Sequence, residues 1–225
     1  MNRFAITSFA VVGLCAAAGA QTVYNSAVSP GWFVGTGQPN ANFVVNSDNG
    51  VQTGLSSFYR FDGGQNSIVN NVYEFNSGNT YPPAGTAAWN VNFHAYLGAG
   101  SVATSNVLLT IDWDPTAGTD VHTYNLSPLF AYLSSNNGLN LLQGSENLGF
   151  TYWNDPGFLA LTGGTAPAVP FNPNSTGTYT FNLTITDLSG NAQSSVDMIV
   201  NVVPAPGAAA ALGLGGLAAL RRRRR

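Results

Sequence analysis

The sequence predicts an all-β protein with one antiparallel β-sandwich of the immunoglobulin-like or jelly-roll-like kind. Between residues 21 and 202, apolar and polar residues alternate with a period of two. Clusters of Gly, Asn, Pro and Asp separate these segments, and none of the segments shows a helical period. Each sheet would have one apolar face to bury, so about eight to ten short strands would form two sheets packed face to face.

The clearest alternation lies in TYTFNLTITD, residues 178–187. Its apolar side chains fall on one face and its Thr and Asn side chains on the other. The segment LSGNAQ follows as a turn, and alternation resumes from Val196 to Val202. These features predict a β-hairpin that buries one face.

Further strands are predicted by similar apolar stripes. One runs from Trp89 to Leu97, which places Trp89 in the core, and another runs from Val107 to Trp113. His94 falls on the polar side of its stripe, so we expect it at the surface, and we expect the same of His122. Three weaker patterns also predict strands, at residues 51–61, 68–75 and 148–153.

Charge is scarce and unevenly distributed in this chain of 225 residues. Charged residues make up 8%, against roughly a quarter in average proteins. All ten acids lie in the middle of the chain, between the terminal arginines. Arg60 is the only Lys or Arg in that middle part. Nucleic-acid binding is therefore not expected, because it depends on Lys and Arg to neutralise phosphates. Cys15 is the only cysteine, which excludes an intrachain disulfide.

The N-terminus has the layout of a signal peptide. Arg3 precedes an apolar run that begins at Phe4, and the small residues Ala18 and Ala20 end the segment. Signal peptidases require small residues at these two positions before the cleaved bond. We expect residues 1–20 to be a signal peptide that is cleaved after Ala20.

The C-terminus reads VPAPGAAAALGLGGLAALRRRRR. Its apolar run, residues 208–220, is shorter than the ~20 residues that a helix needs to span a bilayer. The five arginines that follow would stay on the cytoplasmic side of the membrane. We expect a short transmembrane helix that tethers the chain transiently to the inner membrane. An ordinary stop-transfer anchor is the alternative.

The C-terminus closely resembles the PEP-CTERM sorting tail of bacterial exoproteins. Three features carry the resemblance, namely the motif Pro204, Ala205, Pro206 and Gly207, the short apolar helix, and the arginines. Ala205 stands where that motif has glutamate, and the arginine run begins with Arg221, Arg222 and Arg223. The resemblance implies that exosortase cuts this tail, in organisms that make extracellular polysaccharide. Blocks of the body, such as LLTIDWDPTAGT and QGSENLGF, also resemble PEP-CTERM proteins but imply no activity. The expected organisation is a signal peptide (1–20), a β-sandwich exodomain (21–202) and a sorting tail (203–225).

Three carboxylates in DWDPTAGTD form the best candidate metal site. Asp112 and Asp114 share one strand face, and the turn at residues 115–118 would bring Asp120 back toward them. Together with loop carbonyls they would suit Ca²⁺, which takes six to eight oxygen ligands. The simpler interpretation, which we favour, is a strand that ends in an Asp-Pro turn. We expect no other cofactor.

Catalytic chemistry is not expected. Glu74 and Glu146 are the only glutamates, and nothing in the sequence brings them together as the carboxyl pair of a glycosidase. Two histidines are too few for a histidine-based zinc site unless aspartates complete it. No G-x-S-x-G nucleophile motif is present.

The expected function is that of an exported cell-surface or extracellular-matrix protein with a structural or adhesive role. Its expected partners are signal peptidase, exosortase and extracellular polysaccharide. The first alternative is a carbohydrate-binding module that uses exposed aromatic side chains. Trp153 is the best candidate for such a sugar platform, because polar turn residues follow it at once. A hydrolase is the second alternative.

Overall fold

The computed structural model describes residues 20–33, 39–61, 69–78 and 83–205. Strands account for 46% of the protein and helices for 12%, so the predicted all-β class is confirmed. In chain order the strands are β1 (Gln21–Ser26), β2 (Trp32–Phe33), β3 (Phe43–Asp48), β4 (Val51–Tyr59), β5 (Val72–Asn76), β6 (Trp89–Tyr96), β7 (Ser105–Asp112), β8 (Val121–Asn125), β9 (Leu141–Glu146), β10 (Gly177–Asp187) and β11 (Ala192–Val203). The described residues also form two α-helices, α1 (Leu126–Ser134) and α2 (Pro156–Thr162), and a 3₁₀ helix (Thr151–Asn154).

The strands form two sheets in a sandwich-like arrangement. One sheet has the order β1-β3-β4-β6-β9-β2, and the other has the order β5-β11-β10-β7-β8. Their facing sides share one apolar core, which includes Trp89 from the first sheet and Phe181 from the second. A buried hydrogen bond of 2.9 Å between the hydroxyls of Thr53 and Ser194 also joins the two sheets.

The predicted hairpin is confirmed as β10 and β11, which pair antiparallel with Phe181 opposite Met198 and Leu183 opposite Val196. Its turn is held by Asp187, whose Oδ1 accepts hydrogen bonds from the backbone N–H groups of Ser189 and Asn191, both at 2.9 Å. The alternation predicted this hairpin well because every second residue does face the core.

The two sheets are mixed, not purely antiparallel as predicted. β5 runs parallel to β11, and the short β2 runs parallel to β9. Alternation reports which face a side chain occupies but not the direction of the neighbouring strand, so it carries no information on this point.

The expectation of a body without helices is wrong. In α1, Leu126, Leu129, Phe130 and Leu133 follow helical spacing, and Asn125 begins the helix by accepting a hydrogen bond from the N–H of Ser127 at 3.1 Å. Both helices lie beside the β7–β8 edge of the five-stranded sheet, where α1 packs against β7 and α2, and α2 packs against β8.

Residues 148–153, predicted as a strand, belong to a turn and to the 3₁₀ helix. β9 ends at Glu146, and Asn147 then redirects the chain by bonding its side-chain amide to the backbone at Ala87. α2 begins after Asp155, whose Oδ1 accepts from the N–H of Phe158 at 2.9 Å, and Pro156 occupies the first helical position.

Candidate functional site

The three carboxylates of the candidate calcium site lie where β7 ends and the turn to β8 begins, with Asp112 at the end of β7 and with Asp114 and Asp120 in the turn. The predicted return of the chain is confirmed, because Asp112 Oδ1 accepts the backbone N–H of Asp120 at 2.9 Å as well as that of Asp114 at 3.2 Å. Asp114 Oδ1 accepts from the N–H and the hydroxyl of Thr116, at 2.9 and 2.7 Å. Asp114 therefore stabilises the turn as the simpler interpretation predicted.

Asp120 is engaged by other groups. Its Oδ1 lies 2.7 Å from His122 Nε2, and its Oδ2 accepts the N–H of Val169 at 2.8 Å. Partial burial acts to raise the pKa of Asp120, but the hydrogen bonds from Val169 and His122 outweigh it and lower the pKa below its usual value. Within the described ranges, no group of three or more His, Cys, Asp or Glu side chains is arranged to hold a metal ion.

The two glutamates do not face one cleft. Glu74 is exposed on the outer side of the five-stranded sheet, between the buried residues Tyr73 and Phe75. Glu146 ends β9 in the other sheet and lines a cavity beside α1 and α2. Glu74 and Glu146 therefore do not form the carboxyl pair of a glycosidase.

The cavity beside Glu146 has a volume of about 160 Å³. Its walls come from β7, α1, β9, the 3₁₀ helix and α2, and it lies where the two helices cover the gap between the sheets. Leu133, with 43% of its surface exposed, lies on the solvent side. The lining is apolar except for one carboxyl and one phenol, and consists of Leu109, Leu126, Leu129, Phe130, Leu133, Glu146, Tyr152, Trp153 and Phe158.

Glu146 and Tyr152 form a hydrogen-bonded pair in this wall, in which the Tyr152 hydroxyl donates to Glu146 Oε2. Burial raises the pKa of the Glu146 carboxyl above its usual value. Burial also raises the pKa of Tyr152, and the neighbouring carboxylate raises it further. The environment therefore favours the neutral forms of both groups.

The cavity is open to solvent beside Leu133, so a small molecule can enter it. A titratable pair beside such a cavity makes it the best candidate binding site among the described residues.

The prediction that His94 lies at the surface is wrong. It lies on the outer side of β6 but is only 1% exposed, with its ring against Phe43 at a centroid distance of 6.4 Å. Its Nδ1 lies 3.3 Å from Gln143 Nε2. Burial lowers the pKa of His94 to about 4. The outer side of this sheet is covered here, and Phe43 and Val45 form a second small core with Val28.

His122 is also less accessible than predicted. Its Nε2 contacts Asp120, and its Nδ1 lies 2.6 Å from the Thr165 hydroxyl, so both ring nitrogens are engaged. The two histidines lie on different sheets, β6 in one and β8 in the other.

The prediction of an exposed Trp153 is wrong. Trp153 is 1% exposed, and its indole N–H donates to the carbonyl of Asn147 at 2.9 Å. Its ring packs against those of Trp113, Tyr124, Tyr152 and Phe158. A ring enclosed in this way is not a surface platform for sugars. The prediction that Trp89 lies in the core is confirmed.

Most of the predicted processing residues lie outside the described residues, namely Ala18, Pro206, Gly207, Arg221, Arg222 and Arg223. The predicted signal peptide, apart from Ala20, and the predicted tail helix also lie outside the described residues. Ala20 is exposed just before β1, and Pro204 is exposed just after β11, with Ala205 next to it. In the part of the chain that the structure describes, no helix is long and apolar enough to cross a membrane.

Comparison with known proteins identifies no relative, because no protein-family model, curated protein or solved structure matches the chain.

The Glu146–Tyr152 pair is the feature that sequence reasoning missed. The two residues are six positions apart and meet because the chain turns at Asn147, whose side chain bonds to a distant strand. The available signals were the helical spacing in α1 and the Asp155-Pro156 helix start, which together predict a helical cap beside this pair.

Proposed function

We propose that this chain is an exported, non-catalytic protein of the cell surface or extracellular matrix with a structural or adhesive role. Signal peptidase removes residues 1–20, and exosortase cuts near Pro204–Gly207 after the tail has tethered the chain to the inner membrane. The mature domain is then released or attached at the cell envelope. This sequence of events carries the PEP-CTERM resemblance of the tail over to the whole protein.

The observation that carries the proposal is the position of the first and last strands. β1 begins at Gln21, the residue after the proposed signal-peptidase cut, and β11 ends at Val203, just before the proline motif. Both cuts would therefore fall outside the described strands. Exposure of Ala20 and Pro204 supports the proposal further, because a protease must reach the bond that it cuts.

The outer face of the five-stranded sheet supports an adhesive role. Its side chains are mostly hydroxyls and amides that bond from strand to strand, for example Thr110 with Thr123 at 2.8 Å and Thr178 with Asn201 at 2.9 Å. Such groups form hydrogen bonds with sugar hydroxyls in either direction. Extracellular polysaccharide is the partner that we propose for this face.

The alternative roles receive less support. A carbohydrate-binding module built on Trp153 loses its basis because this side chain is buried. A hydrolase would need two carboxyls in one cleft, and Glu74 and Glu146 belong to different sheets.

The tail is tested by replacing Arg221–Arg225 with five serines, and with five lysines as the matched control. The chain is produced in a bacterium that makes exosortase, and its C-terminus is measured by mass spectrometry. Lysine keeps the positive charge, so we expect that variant to be cut like the natural chain, whereas the serine variant keeps its tail. Equal cutting of the serine variant would contradict the proposed role of the arginines.

A further inference from the structure

The cavity between α1, α2 and the two sheets has apolar walls except where Glu146 and Tyr152 lie. Eight of its nine lining residues are apolar or aromatic, and Glu146 is the only acid among them. Its Oε2 accepts from the Tyr152 hydroxyl. Among the described residues, Oε1 of Glu146 has no hydrogen-bond partner. The wall thus contains one position for a polar group of a ligand.

We propose that this cavity binds a small, uncharged, mainly apolar molecule that carries one hydroxyl group, and that this hydroxyl bonds to Glu146, whose carboxyl is oriented by Tyr152. This inference is independent of the proposed export and processing, since it concerns only residues inside the folded domain.

The size of the cavity limits the ligand. Its 160 Å³ is close to the volume of about 150 Å³ that holds a benzene molecule in a well-studied engineered cavity. A single aromatic ring with one substituent therefore fits, whereas a disaccharide or a long acyl chain does not. Leucine walls from α1 and the aromatic edges of Trp153 and Phe158 provide the apolar contacts.

The polar group of the ligand is limited by how many hydrogen bonds the wall can make. An ammonium ion has three donors, and the remaining lining residues carry only apolar side chains apart from Trp153, whose N–H already bonds to Asn147. A cation would leave donors unpaired in an apolar surrounding, which is unfavourable. A carboxylate ligand would bring a charge into an apolar wall in which no lining residue is a cation that could pair with it. One hydroxyl can bind by donating to Glu146 Oε1, while the Tyr152 hydroxyl continues to donate to Glu146 Oε2.

The state of the carboxyl is consistent with this ligand. Burial raises the pKa of Glu146, because the apolar wall disfavours charge. A hydroxyl can therefore bind without introducing a charge into the apolar wall.

The test uses the full-length protein and isothermal titration calorimetry with phenol as the probe. Three matched ligands replace the phenol hydroxyl: toluene has an uncharged methyl group instead, benzylamine carries a positive charge, and benzoate carries a negative charge. We expect phenol to bind about tenfold more tightly than toluene, as one net hydrogen bond allows, and more tightly than either charged ligand.

Two variants locate the hydroxyl. Glu146→Met removes the polar group and keeps a similar volume, so the preference for phenol over toluene should fall about tenfold. Glu146→Gln keeps a donor and an acceptor and should retain the preference. Leu133→Trp narrows the solvent side and should weaken both phenol and toluene, whereas the remote, exposed control Leu188→Trp should not.

Several outcomes would overturn the proposal. Absence of phenol binding by a protein with an intact unfolding transition would do so, as would equal binding of phenol and toluene. Tighter binding of benzylamine would show that the site prefers a cation. Unchanged phenol preference in Glu146→Met would exclude this residue from recognition.

Discussion

The side chain of Asn147 pairs with the backbone of Ala87 as a neighbouring strand would. Asn147 Oδ1 accepts the N–H of Ala87 at 2.8 Å, and Nδ2 lies 3.0 Å from the carbonyl oxygen of the same residue. Nδ2 also lies 2.8 Å from the Trp89 carbonyl. Asn147 is fully buried at the end of β9, so this one amide fixes the chain path that leads to the 3₁₀ helix and brings Tyr152 to Glu146.

Replacing Asn147 with alanine should therefore be strongly destabilising. The change leaves the N–H groups of Ala87 and Gly149 without their acceptor, and each such buried group costs about 1–3 kcal/mol. We expect a loss of about 3 kcal/mol in the free energy of unfolding, measured in urea. The exposed control Asn137→Ala should change it by less than about 0.5 kcal/mol. A small effect of Asn147→Ala would contradict its role as the link between these segments.

The stability of a Trp153→Ala variant tests whether this ring is packed in the core or lies on a surface platform. Trp153→Ala removes a buried ring and should cost about 3–5 kcal/mol, whereas the 72% exposed Tyr132→Ala should cost less than about 0.5 kcal/mol. Urea unfolding followed by circular dichroism measures both values. If Trp153→Ala leaves stability unchanged, the ring is not enclosed as described.

His94 should make stability depend on pH. Burial holds the pKa of His94 at about 4 in the folded protein, whereas the unfolded chain takes up this proton near pH 6.5. The unfolded state therefore binds more protons between these values, and stability falls as the pH is lowered from 6.5 to 4. The contribution is about 3 kcal/mol.

His94→Gln removes this titration but leaves the acids unchanged. The free energy of unfolding should then fall less steeply between pH 6.5 and 4 than in the natural protein. Denaturant titrations at several pH values give both slopes. Identical slopes would mean that His94 is accessible to protons in the folded state.

Calcium should not stabilise the protein. Oδ1 of Asp112 and both oxygens of Asp120 already accept hydrogen bonds, so an ion would have to displace them. We expect no rise in unfolding temperature with calcium at about 1 mM, the weak end of the affinity range of protein calcium sites. A rise that Asp112→Asn abolishes and Asp197→Asn does not would establish a calcium site instead.

The sequence predicted the elements whose residues alternate without interruption, such as β6 and the β10–β11 hairpin. It could not predict the burial of His94, because alternation places a side chain on one face but does not show what covers that face. Helix α1 escaped notice because its nine residues form only about two and a half turns, a short stretch in which to recognise a period.

Only part of the candidate site could be read from the sequence. The return of Asp120 toward Asp112 followed from local turn chemistry, which the sequence encodes directly. The contact of Glu146 with Tyr152, and the enclosure of Trp153, depend on long-range contacts of Asn147 and of the two helices. Such contacts between distant segments leave no local pattern.

The most direct test of the account is the intact mass of the protein recovered from the envelope and medium of a bacterium that makes exosortase and produces the full-length chain. Processing at both ends predicts a chain that starts at Gln21 and ends before the arginine run, between Val203 and Gly207. A chain that still extends from Met1 to Arg225, found in the cytosol, would contradict the proposed export and tail cleavage.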